Sequence, residues 1–180
     1  MSNKRETAIL DGGCLWCAIA PPFARALGDV AAKVGPIYGL VGHSLGGAAV
    51  AMAMRHGVGA HRAVLLAPPA DVRVFSDLFA RSFALAPTVQ ETMHRNLERR
   101  LRIVWGELHI PTLVRELPAA ALVIHDRDDT DVPLAHGEEI VGAWAGSRLE
   151  TTAGLGHRAL LRDPSVIART VAFLSEGVPG

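Results

Sequence analysis

Gly42-His43-Ser44-Leu45-Gly46-Gly47 (GHSLGG) lies between a short apolar run, Ile37 to Val41 (IYGLV), and a stretch of small residues, Ala48 to Met54 (AAVAMAM). A run of that length bounded by glycine reads as a buried strand, and the small residues that follow read as a helix able to pack closely on it. Ser44 would then stand in the turn between them. Two readings are open for it on this stretch alone: a hydroxyl held up as a nucleophile at a sharp strand-to-helix turn, or a polar residue of a glycine-rich loop.

Working outward, strand-like and helix-like segments alternate along nearly the whole chain, the pattern of parallel strands joined by crossover helices. Thr7 to Leu10, Ile37 to Val41, Arg62 to Ala67, Ala121 to His125 and Arg148 to Thr151 are the predicted strands. Pro22 to Val34, Leu45 to His56, Leu134 to Trp144 and Pro164 to Leu174 are the predicted helices. Between Ala70 and Pro118 the alternation lapses; Phe75, Phe79 and Phe83 recur at helical spacing, followed by the strongly helical QETMHRNLERRLR. This insertion, about residues 70–118, reads as a helical cap on a single domain spanning residues 1–180. The three phenylalanines are expected to pack the cap on the core and to line an apolar pocket. Arg95, Arg99 and Arg102 are expected to be a solvated face.

The chain has 180 residues, 49% of them hydrophobic, enough for one well-buried core. Eighteen basic residues balance eighteen acidic ones, so no basic face suggests nucleic acid and a neutral small-molecule substrate fits better. No apolar run approaches the roughly 18 residues that span a bilayer, and MSNKRETAIL has no leader-like apolar segment. A soluble, cytoplasmic protein without membrane attachment is expected. The only two cysteines, Cys14 and Cys17, form a CxxC pair, which in a reducing compartment points to thiol chemistry or packing rather than a structural disulfide. Zinc would need two further ligands, and neither a second CxxC nor a clustered histidine pair supplies them, so no metal or cofactor is expected.

Loops at the carboxyl ends of parallel strands gather on one edge of the sheet. Ser44, the Asp128-Asp129 pair and His157 all follow such ends, in the chain order Ser, Asp, His. Hydrolysis through a serine needs a base to take its proton and a carboxylate to orient that base. Each residue alone has an ordinary reading as turn or loop; together they form a chemical set.

The three stretches LVGHSLGG, LVIHDRDDTDVP and GLGHRALLRDPSV resemble, in that order, the nucleophile elbow, the acid-bearing turn and the base-bearing loop of the α/β-hydrolase superfamily, over about residues 36–175. The resemblance implies a three-layer α/β fold with a mostly parallel sheet of about five strands and a helical cap. It implies a carboxylester hydrolase in which Ser44 attacks, His157 moves the proton and Asp129 orients His157. The family's acid usually precedes a V-P pair in a D-x-x-V-P arrangement, which selects Asp129 ahead of Val132 and Pro133 and leaves Asp128 as the alternative. The Leu45 amide, following the nucleophile, would hold the oxyanion.

That family has several strands before the elbow, whereas only about 35 residues precede Ile37 here, so the chain reads as an amino-terminally truncated version. ETAILDGGCLWCAIAPPFARALGDV is instead similar to the active-site segment of the A-type peptide methionine sulfoxide reductases, over about residues 6–30. This second resemblance implies that Cys14 attacks a sulfoxide with Cys17 resolving it, a thiol redox alternative. A weakly active scaffold or binding protein is the third reading. If Thr7 to Leu10 pairs in parallel with Ile37 to Val41, with Pro22 to Val34 as crossover, Gly12 and Gly13 fall beside the elbow, and Gly13 or Cys14 becomes the candidate first oxyanion donor. A five-stranded sheet with an uncovered edge is expected to self-associate as a homo-oligomer.

Overall fold

The computed structural model describes residues 7–11, 20–101 and 104–176. Five parallel strands form one sheet in the order of the chain: β1 (Thr7–Asp11), β2 (Ile37–His43), β3 (Ala60–Leu66), β4 (Ala120–Asp126) and β5 (Ser147–Thr152). β1 pairs with β2 from Thr7 opposite Gly39 to Asp11 opposite His43, the parallel unit expected ahead of the Ser44 turn. α1 (Ala20–Val34) is its crossover.

The central strands are apolar on both faces, as a sheet covered on both sides requires. Leu40, Ala63, Leu65, Ala121 and Val123 pack into one core with α1, α2 (Leu45–Arg55), α5 (Ile110–Val114) and α6 (Ala135–Ala143). Val41, Val64, Leu66, Leu122 and Ile124 alternate with them and pack against Leu160, Val166 and Phe173, the last two on α8 (Pro164–Ser175). α2 is buried along Leu45 to Met54, so its run of Gly and Ala is what lets a helix fit between the sheet and its neighbours. α8 starts on Asp163, whose Oδ1 accepts from the amides of Ser165 (2.9 Å) and Val166 (3.0 Å), with Pro164 in the first turn where its missing N–H has no cost.

The segment between β3 and β4 carries α3 (Arg73–Ser82), α4 (Pro87–Leu101), a 3-10 turn at Trp105–Leu108, and α5. Its two stems meet in a single antiparallel bridge between Asp71 and His109. Of the three phenylalanines expected to pack inward, Phe75 packs against the core, while Phe83 is 65% exposed. α3 stops at Ser82, and Ala84 turns the chain into the left-handed region (φ 48°), so the third phenylalanine leaves the helix face and only stacks on Phe79, 4.7 Å between centroids. Arg95 and Arg99 are exposed as expected; Arg102 lies outside the described residues. Among the described residues no helix is long and apolar enough to cross a membrane.

The end of α8 is fixed at the amino-terminal edge of the sheet. Phe173, 2% exposed, lies between the guanidinium groups of Arg62 (4.8 Å) and Arg148 (4.9 Å), which also pair with Glu176 at 3.0 and 3.1 Å. One ring thus closes the second core and seats two cations. Phe173→Ala is expected to lower the unfolding free energy by about 3–5 kcal/mol, measured by denaturant titration, whereas Glu176→Gln changes a solvent-screened contact and shifts the midpoint only slightly.

Candidate active site

β2 ends on His43 and α2 begins on Leu45, leaving Ser44 alone to reverse the chain. Its backbone sits at φ 53°, ψ −125°, a conformation costing a residue with a side chain about 1–3 kcal/mol. Neighbouring bonds hold it there: Ser44 N donates to Leu66 O (2.8 Å) and Gly47 N donates to Ser44 O (2.9 Å). A Cβ on Gly42 would lie 2.5 Å from the Gly46 carbonyl oxygen, so only glycine admits the first turn of α2. Leu45, as the first residue of α2, carries one of the amides that a helix leaves without an internal acceptor.

Three residues beyond the end of β4 the chain provides a carboxylate. Asp129 Oδ1 accepts the amides of Asp131 (2.9 Å) and Val132 (2.8 Å), an Asx turn that aims the second oxygen outward. That oxygen, Oδ2, is 2.8 Å from His157 Nδ1. The side chain of Asp129 is fully buried and that of His157 is 10% exposed. Burial alone would raise the Asp129 pKa; the nearby His125 N–H, the bonds from His157 and the Val132 amide, and the charge of His157 together outweigh it and hold the carboxyl well below the usual range. Because Oδ2 accepts from Nδ1, the His157 proton is held on the Asp129 side of the ring.

His157 lies in a short helical turn, α7 (Gly156–Ala159), entered through Gly154 and Gly156, both at positive φ. Two more aspartates fix its approach. Buried Asp126 accepts from Thr152 Oγ1 (2.6 Å) and from the Leu155 (3.1 Å) and Asp128 (3.0 Å) amides; burial opposes its ionisation, but these bonds and one from the Gly156 amide win, and its pKa is lowered. Asp128, the alternative acid, accepts from the Gly154 amide at 2.8 Å and so braces the loop.

The Asp129–His157 pair is therefore directly joined. Among the described residues no hydrogen bond joins the Ser44 hydroxyl to His157; the two meet through His43, the residue before the serine. His43 Nε2 donates to the His157 carbonyl oxygen at 2.9 Å, and the two imidazoles lie 4.8 Å apart. Nucleophile and base in free enzymes often close to full contact only around substrate. The sequence motifs single out Ser44, Asp129 and His157 but not His43 and His125, yet both histidines are buried and touch this group. Their places, directly before Ser44 and at the carboxyl end of a central strand, were the signal. Gly13, Cys14 and Cys17 lie outside the described residues. Among the described residues no three His, Cys, Asp or Glu side chains gather as a metal site needs.

No protein-family model and no curated protein matches the sequence. Solved structures do. An α/β-hydrolase enzyme from a metagenome of lagoon sediments at Mar Chica, Morocco, aligns with a TM-score of 0.62 at 15% identity, over 87% of this chain and 69% of that one. The esterase RhEst1 from a Rhodococcus strain gives 0.61 at 17%, over 86% and 71%. A hydrolase from Pseudomonas aeruginosa gives 0.60 at 20%, over 93% and 75%. The chain has the α/β-hydrolase fold, with five parallel strands and the turns carrying Ser44, Asp129 and His157 on one sheet edge.

Both buried carboxylates titrate lower in the folded chain than in the unfolded one. Their stabilisation is complete above the unfolded carboxylate pKa of about 4 and is lost as pH falls towards the folded values. The unfolding free energy is expected to drop steadily from about pH 5 to pH 2, and the double variant Asp126→Asn, Asp129→Asn to show a flatter profile over that range by urea titration.

Proposed function

We propose that this protein is a serine hydrolase that cleaves small carboxylic esters through an acyl-enzyme. The single observation that carries the reading is the buried Asp129–His157 hydrogen bond on the same sheet edge as Ser44, whose backbone is held at φ 53°. A strained serine in a glycine turn would be idle by itself; a histidine with an ionised, buried partner supplies the base that such a hydroxyl lacks.

In the proposed reaction Ser44 Oγ attacks the ester carbonyl carbon while its proton passes to His157 Nε2. Negative charge gathers on the carbonyl oxygen, where the Leu45 amide at the start of α2 supplies one donor. The intermediate collapses, the C–O bond to the alcohol breaks, and the imidazolium returns its proton to the leaving oxygen. Water then repeats the sequence on the acyl-serine, releasing the acid and restoring Ser44. Asp129 stays ionised throughout, fixing the ring and balancing its transient charge. The balance of acidic and basic residues favours an uncharged, small acyl group.

Initial rates on p-nitrophenyl acetate, butyrate and hexanoate test this. Ser44→Ala is expected to lower kcat by on the order of 10⁶-fold and Asp129→Asn by roughly 10⁴-fold. Asp128→Asn, which removes only a loop brace, should cost less than about tenfold, and Cys14→Ser should leave the rate at the parental value. Undiminished turnover in Ser44→Ala would overturn the reading, and loss confined to Cys14→Ser would move the chemistry to the thiol.

A further inference from the structure

His125 is the most deeply buried imidazole in this region, with no exposed surface, and it belongs to none of the three reacting roles. Its Nε2 lies 2.7 Å from the Val132 carbonyl oxygen, an acceptor, so Nε2 carries the proton. The same N–H stands 3.6 Å from Asp129 Oδ2, the oxygen that binds His157. Nδ1 has no hydrogen-bond partner among the described residues. For a packing residue this is a poor arrangement, because a leucine or methionine would fill the space without an unsatisfied nitrogen.

The surroundings are nonetheless shaped around the ring. A Cβ on Gly137 would come within 2.8 Å of His125 Nδ1, so α6 carries glycine where the imidazole passes. The turn it grips is the one that aims the acid. Val132 donates its amide inward to Asp129 Oδ1 and offers its carbonyl outward to His125, so the ring closes the turn from behind.

We propose that His125 is a positioning residue: an Nε2-protonated imidazole that locks the Asp129–Val132 turn and so keeps Oδ2 on His157 Nδ1. This rests on the reading of Asp129 and His157 as acid and base. Without the lock, Val132 O loses its only side-chain donor among the described contacts, the turn loosens, and the carboxylate no longer specifies the tautomer and direction of His157. The titratable side chains facing His125 are Asp129 from its own loop and His136 from α6; burial and the neighbouring His125 push the His136 pKa down against the charges of Glu139, Asp71 and Asp129.

The test compares the parent with His125→Leu, His125→Gln and Gly137→Ala. Two readouts are taken: kcat and KM on p-nitrophenyl butyrate, and the low-field proton NMR signal of the His157 Nδ1–H bonded to Asp129, which needs no turnover. His125→Leu is expected to lose the signal and lower kcat about tenfold, the effect of removing an outer partner of a site ligand, with KM unchanged. His125→Gln, whose amide can replace the Nε2 donor, should recover both. Gly137→Ala, which pushes the ring from outside the site, should weaken both, and it decides the matter if His125→Leu does not fold. A folded His125→Leu or Gly137→Ala with parental signal and kcat overturns the proposal, as does a Gln variant as impaired as Leu. A parent that shows the signal but no hydrolysis refutes the esterase reading while the NMR comparison still decides the role of His125.

Discussion

The fold turns on the distance of closest approach between β2 and α2. Any side chain on Gly42 would meet the backbone of Gly46, so the strand can pass directly into a helix only with glycine at that point, and the residue between them must absorb the reversal at positive φ. The strain at Ser44 follows from that geometry and is held by the tie from its amide to β3. The same closeness explains the composition of α2, which is buried along ten consecutive positions and can be so only because most of them are glycine or alanine. From there the two flanking cores follow: one sheet face takes four helices, the other takes α8.

Most of this was written in the sequence in a readable form. Ala63 to Leu66 in β3 and Ala120 to Ile124 in β4 are continuous apolar runs, α8 opens on an Asp-Pro cap, and every crossover is long enough for a helix, so strand number and parallel direction follow from the pattern. The cap was less legible. Helical spacing of Phe75, Phe79 and Phe83 suggested one buried stripe, but the helix ends before the third, because nothing in a period reveals where the backbone will turn left-handed.

The candidate site was legible as positions and not as contacts. Ser44, Asp129 and His157 stand out because each follows a strand of the same polarity. His43 and His125 do not stand out, since their contacts depend on tautomer and burial: each donates Nε2–H to a backbone carbonyl, one on the His157 turn and one on the Asp129 turn. A histidine letter carries no information about which nitrogen bears the proton. The aspartates show the same limit. Four of them crowd residues 126–131, and only their acceptor roles separate the pair that caps loops, Asp126 and Asp128, from the one that meets His157.

The central claim is that the strain, the tie and the buried carboxylate together make Ser44 a nucleophile. The most direct measurement is intact-protein and peptide mass spectrometry after reaction with a fluorophosphonate ester at neutral pH, comparing the parent with His157→Gln. The account predicts one phosphonyl adduct per chain, located on the peptide containing Ser44, formed at least tenfold more slowly without the His157 imidazole. A folded parent that gains no adduct, or one labelled equally fast in both proteins, would contradict it.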